Sequence, residues 1–214
     1  TSSAFQIYAF TDIFCFVHAN SFLRLWIAQN MSENDSMLTI LGLSGSFGSD
    51  SSNGKLVTLA LRHAETMGVE TVFWDLTEKP LPLVGDTGSW DDEYVKEFQE
   101  LAESCQGYLI SSPEYHGCMS GVMKNQLDWL YSKHVSGKPF GLMSTLGGQP
   151  NSNTLNQLRI CVRWIHGWAV PEQLAVANIK KAFDESGNLI DIELNERLEG
   201  LVKSVIDTAV LFDS

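Results

Sequence analysis

The chain has 214 residues, of which 44% are hydrophobic and 19% are charged, and these proportions are ordinary for one globular domain with a sizeable core. Its formal net charge of −12 disfavours nucleic acid and anionic membranes as partners, because both attract basic surfaces. The four cysteines are scattered without disulfide or zinc spacing, so we expect reduced thiols, no metal site and a cytoplasmic location.

Residues 1–36 differ in composition from the rest of the chain. The only charged residues up to position 30 are Asp12 and Arg24, yet the uncharged run between them is too short to span a membrane. A signal peptide would require basic residues before its apolar stretch, and none precede Arg24. The sequence therefore predicts an N-terminal extension outside the fold, with a membrane-surface or partner-docking segment as the alternative.

From residue 37 to residue 214, short apolar strands alternate with amphipathic helices, which is typical of a parallel sheet covered on both faces. We predict the first strand at Leu38–Leu43, its helix at Gly54–Met67 and the second strand at Val69–Trp74. A loop interrupted by prolines and glycines then leads to a second helix at about Asp91–Cys105.

The third strand is predicted at Gly107–Ser112, and Pro113 is expected to end it because proline cannot donate to a sheet ladder. The helix that follows should start near Gly121. The fourth and fifth strands are predicted at Phe140–Ser144 and Gln173–Ala177. Five parallel strands with right-handed crossovers predict an α/β, doubly wound sheet in the flavodoxin-like strand order 2-1-3-4-5.

Two further helices are predicted in the last third of the chain. Leu155, Leu158 and Val162 fall on one face of the first, and the apolar spacing from Leu194 to Ala209 predicts the second. The aromatic residues that follow the first helix could pack in the core, shape a pocket mouth or form an oligomer interface. For Trp164 we expect core packing.

A loop rich in serine and glycine, Ser44–Asn53, follows the first strand and leads into a helix. Its hydroxyls, its flexible backbone and the free N–H groups of the helix start suit a bound phosphate. A plain turn with a helix cap is the alternative interpretation. In the order 2-1-3-4-5, this loop and the loop at Pro113 face each other across the crevice in which such sheets bind ligands.

Two blocks of the sequence resemble the NADPH-dependent FMN reductase family, flavodoxin-like enzymes that include quinone and azo reductases. Pro113–Trp129 is similar to the signature Pro-Glu-Tyr-(Asn or His)-Gly followed by Gly-Val-(Leu or Met)-Lys-Asn-x-Leu-Asp-Trp. Leu43–Asn53 is similar to the family phosphate loop Gly-Ser-x-Arg-x-x-Ser-x-Asn. A weaker third block, Ser144–Gly148, lies where the family has its last flavin-contacting loop, so the resemblance covers the domain at 37–214.

The resemblance implies that three loops bind FMN. The implied cofactor-binding residues are Ser44, Ser46, Ser51, Ser52 and Asn53 at the phosphate, Pro113, Glu114, Tyr115, His116 and Gly117 beside the isoalloxazine ring, and Ser144, Thr145, Gly147 and Gly148 at its pyrimidine edge. Tyr115 could contact the ring or pack at a subunit contact. For Glu114 we expect a helix-end or intersubunit hydrogen bond.

We predict no catalytic residue, because hydride transfer from a nicotinamide to a flavin needs stacking and distance rather than a protein base. Cys118 is expected to be an inert thiol, since no cationic neighbour is evident.

One position departs from the family pattern. Gly48 stands where the family usually has arginine, so the charged contact to the FMN phosphate is missing and weaker FMN binding is expected. An arginine at this position should restore a charge-assisted contact, provided that the local backbone does not require a positive φ, which glycine alone tolerates easily.

The resemblance implies an oxidoreductase that takes hydride from NADPH or NADH and passes electrons through FMN to a small acceptor, such as a quinone, an azo compound, a metal oxyanion or free flavin. The expected kinetics are ping-pong, and the expected assembly is a homodimer or homotetramer in which neighbouring subunits close the site. A flavodoxin-like electron carrier that docks on a basic protein is the alternative. A structural or regulatory subunit without tight FMN binding is a third possibility.

Overall fold

The structure is a computed structural model that describes residues 38–148 and 153–213. The prediction of an extension at residues 1–36 falls outside these residues. In the described part, no helix is long and apolar enough to cross a membrane.

Strands and helices alternate along the described chain, as the sequence predicts. The strands are β1 (Thr39–Ser44), β2 (Glu70–Trp74), β3 (Gly107–Tyr115), β4 (Cys118–Met119), β5 (Pro139–Thr145) and β6 (Trp168–Val176). The helices are α1 (Ser52–Thr66), α2 (Glu93–Ser104), α3 (Gly121–Asp128), α4 (Ser132–Val135), α5 (Asn153–Trp164) and α6 (Ile192–Asp213). Two short 3₁₀ helices lie at Ser89–Asp91 and Ile179–Lys181.

The sheet has the strand order β2-β1-β3-β5-β6, and all of these neighbouring strands are parallel. The short β4 lies off this path and pairs antiparallel with the end of β3. Without β4, the order is the predicted 2-1-3-4-5, so the flavodoxin-like doubly wound fold is confirmed.

The side chains of the sheet form two apolar layers. One layer packs against α2, α3 and α5, and it includes the predicted face of Leu155, Leu158 and Val162. The other layer packs against α1 and α6, and the predicted periodicity of α6 buries Leu198 and Val205 among others. Helices therefore cover both faces of the sheet, which leaves the strand ends for function.

The expectation that Pro113 ends the third strand is wrong. β3 continues to Tyr115, with Pro113 opposite Thr145 of β5, and Glu114 and Tyr115 pair with β4. His116 and Gly117, at φ 54° and 77°, make the two-residue turn between β3 and β4. The predicted polar loop is thus a β-hairpin. Proline removes only its own N–H from the ladder, and the residues after it pair with the antiparallel β4.

Two expectations about the end of the chain also differ from the structure. β6 begins at Trp168 rather than at Gln173, because it is an edge strand in which Pro171 costs no internal ladder bond. Trp164, expected in the core, is 76% exposed. It is the last residue of α5 and lies outside the buried face of that helix.

The loop between β2 and α2 is fastened to α3. Asn125 Nδ2 donates to the carbonyl oxygens of Leu81 (3.3 Å) and Pro82 (3.0 Å). Trp129 Nε1 donates to the same Pro82 oxygen at 2.9 Å. The Trp129 side chain is fully buried, and the edge of Trp90 packs against it with ring centroids 5.1 Å apart. The family-like residues Asn125 and Trp129 therefore position a loop, and Trp129 lies in the core.

We predict that Trp129→Phe lowers the free energy of unfolding by about 1 to 2 kcal/mol, because the hydrogen bond to Pro82 is lost and the new ring fills less of the buried space. Chemical denaturation of the purified protein measures the change. Ile192→Val is the control, with an expected change within about 0.5 kcal/mol because Ile192 is 75% exposed. Equal effects of the two substitutions would contradict this assignment.

Candidate functional site

The carboxyl ends of β1, β3 and β5 meet at one edge of the sheet. In the ladder, Ser44 pairs with Ser111, Ser112 pairs with Ser144, and Pro113 pairs with Thr145. The three loops predicted to bind FMN begin at these residues. The fold therefore brings the three sequence blocks together, as the switch-point rule requires.

The loop after β1 folds back on the start of α1. Ser51 is the N-cap of this helix, with its hydroxyl oxygen accepting from the Gly54 N–H (3.0 Å) and its hydroxyl donating to the Gly48 carbonyl (2.9 Å). A Cβ atom at position 54 would lie 2.3 Å from the Gly48 oxygen, so only glycine permits this close approach. The Ser51 hydroxyl is thus engaged in the cap, while Ser52 is half-buried in the first turn.

Asn53 lies beneath this loop, and its side chain is hydrogen-bonded at both ends. Its Nδ2 donates to Ser46 Oγ (3.1 Å), and its Oδ1 accepts from Ser111 Oγ (2.8 Å) and Thr145 Oγ1 (3.0 Å). The residue is 2% exposed. The structure therefore places the amide between the loops, where it joins the carboxyl ends of three strands.

The turn at Gly45 is clamped between β3 and α3. Its N–H donates to the Ser111 carbonyl (2.7 Å), and its carbonyl accepts from Ser120 Oγ (2.6 Å). Gln126 Nε2 donates to the carbonyl of the preceding Ser44 (2.8 Å). A Cβ atom at Gly45 would lie 2.8 Å from Ser120 Oγ, so the clamp requires glycine.

Sequence reasoning missed Ser111, Ser112, Ser120 and Gln126. Ser120 had a signal, since a serine directly before a predicted helix is a preferred N-cap, and its hydroxyl does accept from the Met123 N–H. Its backbone N–H donates to Ser112 Oγ at 3.0 Å, which ties the cap to β3. The other residues act through contacts that are distant in sequence.

The backbone at Gly48 explains the departure from the family pattern. Its φ is +75°, in the left-handed region. Glycine adopts this region freely and asparagine occasionally, whereas other residues are strained there. The condition attached to an arginine at this position is therefore not met, and the expected gain from restoring it is wrong. The loop contributes no cationic side chain, so an anion here would depend on hydroxyls and N–H groups.

The β3–β4 hairpin is held to the start of α5. Glu114 Oε2 accepts from the Thr154 N–H at 3.3 Å, which confirms the helix-end hydrogen bond expected for Glu114. Gln157 donates to the Gly117 carbonyl (3.2 Å) and accepts from the Met119 N–H (3.1 Å). Tyr115, at the tip of the hairpin, is 59% exposed, and His116 is exposed beside it.

The loop after β5 offers exposed backbone. Ser144 and Thr145 are buried at the strand end, whereas Gly147 and Gly148 are exposed. Among the described residues, no atom lies within 4 Å of a Cβ atom built on either glycine, so these residues leave space for a flat group at the backbone. Ser144 Oγ is buried and has no hydrogen-bond partner among the described residues.

The donors at these loops fit FMN. The half-buried Ser46 and Ser52 hydroxyls and the first-turn N–H groups of α1 suit a phosphate, and the two exposed glycines and Tyr115 suit a flat ring. Two cavities, of about 510 and 550 Å³, lie away from these loops, one beside β2 and α2 and the other at the amino ends of β5 and β6. We assign the site by the chemistry of the residues on the three loops.

The groups with shifted pKa values lie elsewhere. Burial lowers the pKa of Lys138, whose ammonium donates to the Ala102 carbonyl at 2.9 Å near the amino end of β5. Burial also lowers the pKa of His134 on α4 and raises the pKa of the Cys161 thiol on α5. None of these side chains belongs to the three loops.

Comparisons with known proteins agree on one family. A family model for NADPH-dependent FMN reductase matches residues 38–181. The NADPH-dependent FMN reductase ArsH of Acidithiobacillus ferrooxidans is 32% identical over 189 residues, which cover 86% of this chain and 78% of that protein. An FMN-dependent NADPH-azoreductase of Staphylococcus aureus is 34% identical over 169 residues, which cover 76% of this chain and 90% of that protein.

A solved structure is also similar over most of its length. The flavoenzyme NAD(P)H:(acceptor) oxidoreductase FerB of Paracoccus denitrificans has a TM-score of 0.67 and 25% sequence identity, and the match covers 82% of this chain and 98% of that one.

We predict that Gly48→Arg lowers the free energy of unfolding of the apoprotein by about 1 to 2 kcal/mol, because the left-handed backbone at this residue penalises a Cβ atom. Gly48→Asn should cost less, since asparagine adopts this conformation more readily. Urea denaturation of the three proteins measures both changes. An arginine variant as stable as the wild type would show that the loop does not require a positive φ.

Proposed function

This chain belongs to the NADPH-dependent FMN reductase family and is an FMN-dependent NAD(P)H oxidoreductase, and from this premise we propose that it reduces a small acceptor with ping-pong kinetics. The acceptor classes that we propose are quinones, azo compounds, metal oxyanions and free flavin. When bound, FMN supplies the chemistry, since it accepts a hydride from NAD(P)H and returns electrons to an acceptor.

The observation that carries the proposal is the convergence of the three loops on one edge of the sheet. We propose that Ser46, Ser52 and the N–H groups of the first turn of α1 bind the FMN phosphate. Ser51 caps α1 and Asn53 is buried, so we propose that these two residues hold the conformation of the loop rather than contact the phosphate.

The other two loops would hold the ring. We propose that the hairpin from Pro113 to Gly117 lies along the ring, with the N–H groups of His116 and Gly117 near its N1–C2=O edge. Gly147 and Gly148 would border the pyrimidine edge, where their exposed backbone leaves space. We propose that the nicotinamide and then the acceptor occupy the same place beside the ring, which would give ping-pong kinetics.

We propose a homo-oligomer that uses the outer face of α5. Ile160 and Trp164 are 58% and 76% exposed, and they follow Gln157 at helical spacing on one face. Gln157 also contacts the hairpin that presents Tyr115. A second subunit packed on this face would bury both apolar side chains and lie beside Tyr115, close to the ring. The dimer and the tetramer are both compatible with this surface.

A cytoplasmic location is also part of the proposal. Cys105, Cys118 and Cys161 are free thiols, which suits a reducing compartment, and the nicotinamide nucleotides are supplied there.

We predict that the protein incubated with FMN has a bound-flavin spectrum and that NADPH or NADH bleaches it anaerobically. Addition of a quinone or an azo dye should restore the colour. Initial rates at several fixed acceptor concentrations should give parallel double-reciprocal lines, because the two substrates occupy the site in turn. Absorbance spectroscopy in a stopped-flow instrument measures each of these results.

Two outcomes would reject the proposal in different ways. Bleaching by dithionite but by neither nucleotide would favour the electron carrier, whose acidic surface would dock on a basic protein partner. Failure to take up FMN at all would favour a structural or regulatory role.

We predict that Trp164→Glu lowers the solution mass, from a dimer to a monomer or from a tetramer to a smaller species, because a charge would be buried at the proposed interface. Light scattering after size-exclusion chromatography measures the mass. Ile192→Glu is the matched control, since Ile192 is 75% exposed on α6 and should leave the mass unchanged. A wild-type monomer, or an oligomer that Trp164→Glu leaves intact, would contradict the use of this face.

A further inference from the structure

The buried amide of Asn53 has a role that the family resemblance does not specify. We infer that Asn53 is a positioning residue that turns the Ser46 hydroxyl proton toward the FMN phosphate and joins the phosphate loop to the strand ends beneath the ring. The inference rests on the proposed binding of FMN at these loops.

In the structure the amide oxygen of Asn53 faces its two strand partners. Ser111 Oγ and Thr145 Oγ1 both donate to Asn53 Oδ1, at 2.8 and 3.0 Å. With its oxygen held by β3 and β5, the amide presents its nitrogen to the loop after β1. Because the residue is 2% exposed, water does not compete for these hydrogen bonds.

This direction decides how Ser46 can act. A hydroxyl has one proton to donate and two lone pairs that can accept. Since Asn53 Nδ2 donates to Ser46 Oγ at 3.1 Å, one lone pair is occupied and the proton remains available to an anion in the loop. A partner that accepted from Ser46 would instead draw the proton inward and leave lone pairs facing the phosphate.

The same side chain connects the phosphate loop to the proposed ring loops. Ser111 lies two residues before Pro113, where the hairpin starts, and Thr145 lies two residues before Gly147. Removal of the amide would leave two buried hydroxyls without their acceptor. Asn53 therefore sets the position of the phosphate loop relative to both neighbouring strand ends.

Asn53→Asp tests the inference with almost no change in shape. An aspartate can accept from Ser46, Ser111 and Thr145 together, so the strand contacts remain while the Ser46 proton turns inward. We expect FMN to bind about 10- to 100-fold more weakly, because a hydrogen bond to a charged group is lost. Riboflavin, which lacks the phosphate, should lose less than about threefold. Titrations of apoprotein followed by flavin fluorescence measure both affinities.

Ser46→Ala separates positioning from simple charge repulsion by the new aspartate. Alone, it should weaken FMN binding about 10- to 100-fold. In the Asn53→Asp background it should cost less than about threefold, because the Ser46 proton no longer reaches the phosphate. Losses that multiply in the double variant would overturn the inference, since the two residues would then act independently.

Ser111→Ala keeps the test available if Asn53→Asp does not fold. It removes one of the two donors to Asn53 Oδ1, and we expect FMN binding to weaken about two- to tenfold while riboflavin binding is unchanged. Equal losses for both flavins would overturn the inference and assign Asn53 a merely structural role. If the wild-type protein does not bind FMN, the proposed function itself is overturned. If the wild type binds FMN but the losses of the two single variants multiply in the double variant, only the inference is overturned.

Discussion

The site depends on one buried hydrogen-bonding group, the side chain of Asn53, which joins hydroxyls beyond β1, in β3 and at the end of β5. Parallel strands align these ends in register, but alignment alone does not fix the loops that follow them. A buried amide that is hydrogen-bonded to three hydroxyls links these ends, because a shift of one strand end would break a buried hydrogen bond. Asn53 therefore ties the phosphate loop to the strand ends from which the proposed ring loops begin.

The family signature in α3 contributes to the same arrangement. Gln126 holds the Ser44 carbonyl, Asn125 and Trp129 hold the loop after β2, and the Ser120 cap holds Gly45. By contrast, the 2.5 Å ion pair between Lys124 and Asp128 is exposed and adds little stability. We conclude that this signature mainly fixes loops around the strand ends, which is consistent with a reaction whose chemistry resides in the cofactor.

The sequence predicts the strand order and the helix faces, because these follow from local periodicity and from the switch-point rule. The three loops also required the family resemblance. Prediction from the sequence fails where the determining contact is remote. Asn53 is 58 residues from Ser111 and 92 from Thr145, so no local pattern reports their hydrogen bonds. The hairpin was missed because Pro113 indicated a strand end, and the positive φ of Gly48 is a property of the folded loop. The assignment of the FMN-binding residues stays a prediction.

A crystal structure of the protein with FMN tests the central claim most directly. The phosphate should lie at the start of α1, within hydrogen-bonding distance of Ser46 Oγ and the backbone N–H groups of the first helical turn, with Asn53 still bonded to Ser111 and Thr145. The ring should lie between the hairpin at Tyr115 and the backbone of Gly147 and Gly148. A phosphate bound away from this helix, or an Asn53 side chain turned from the strands to the ligand, would contradict the account.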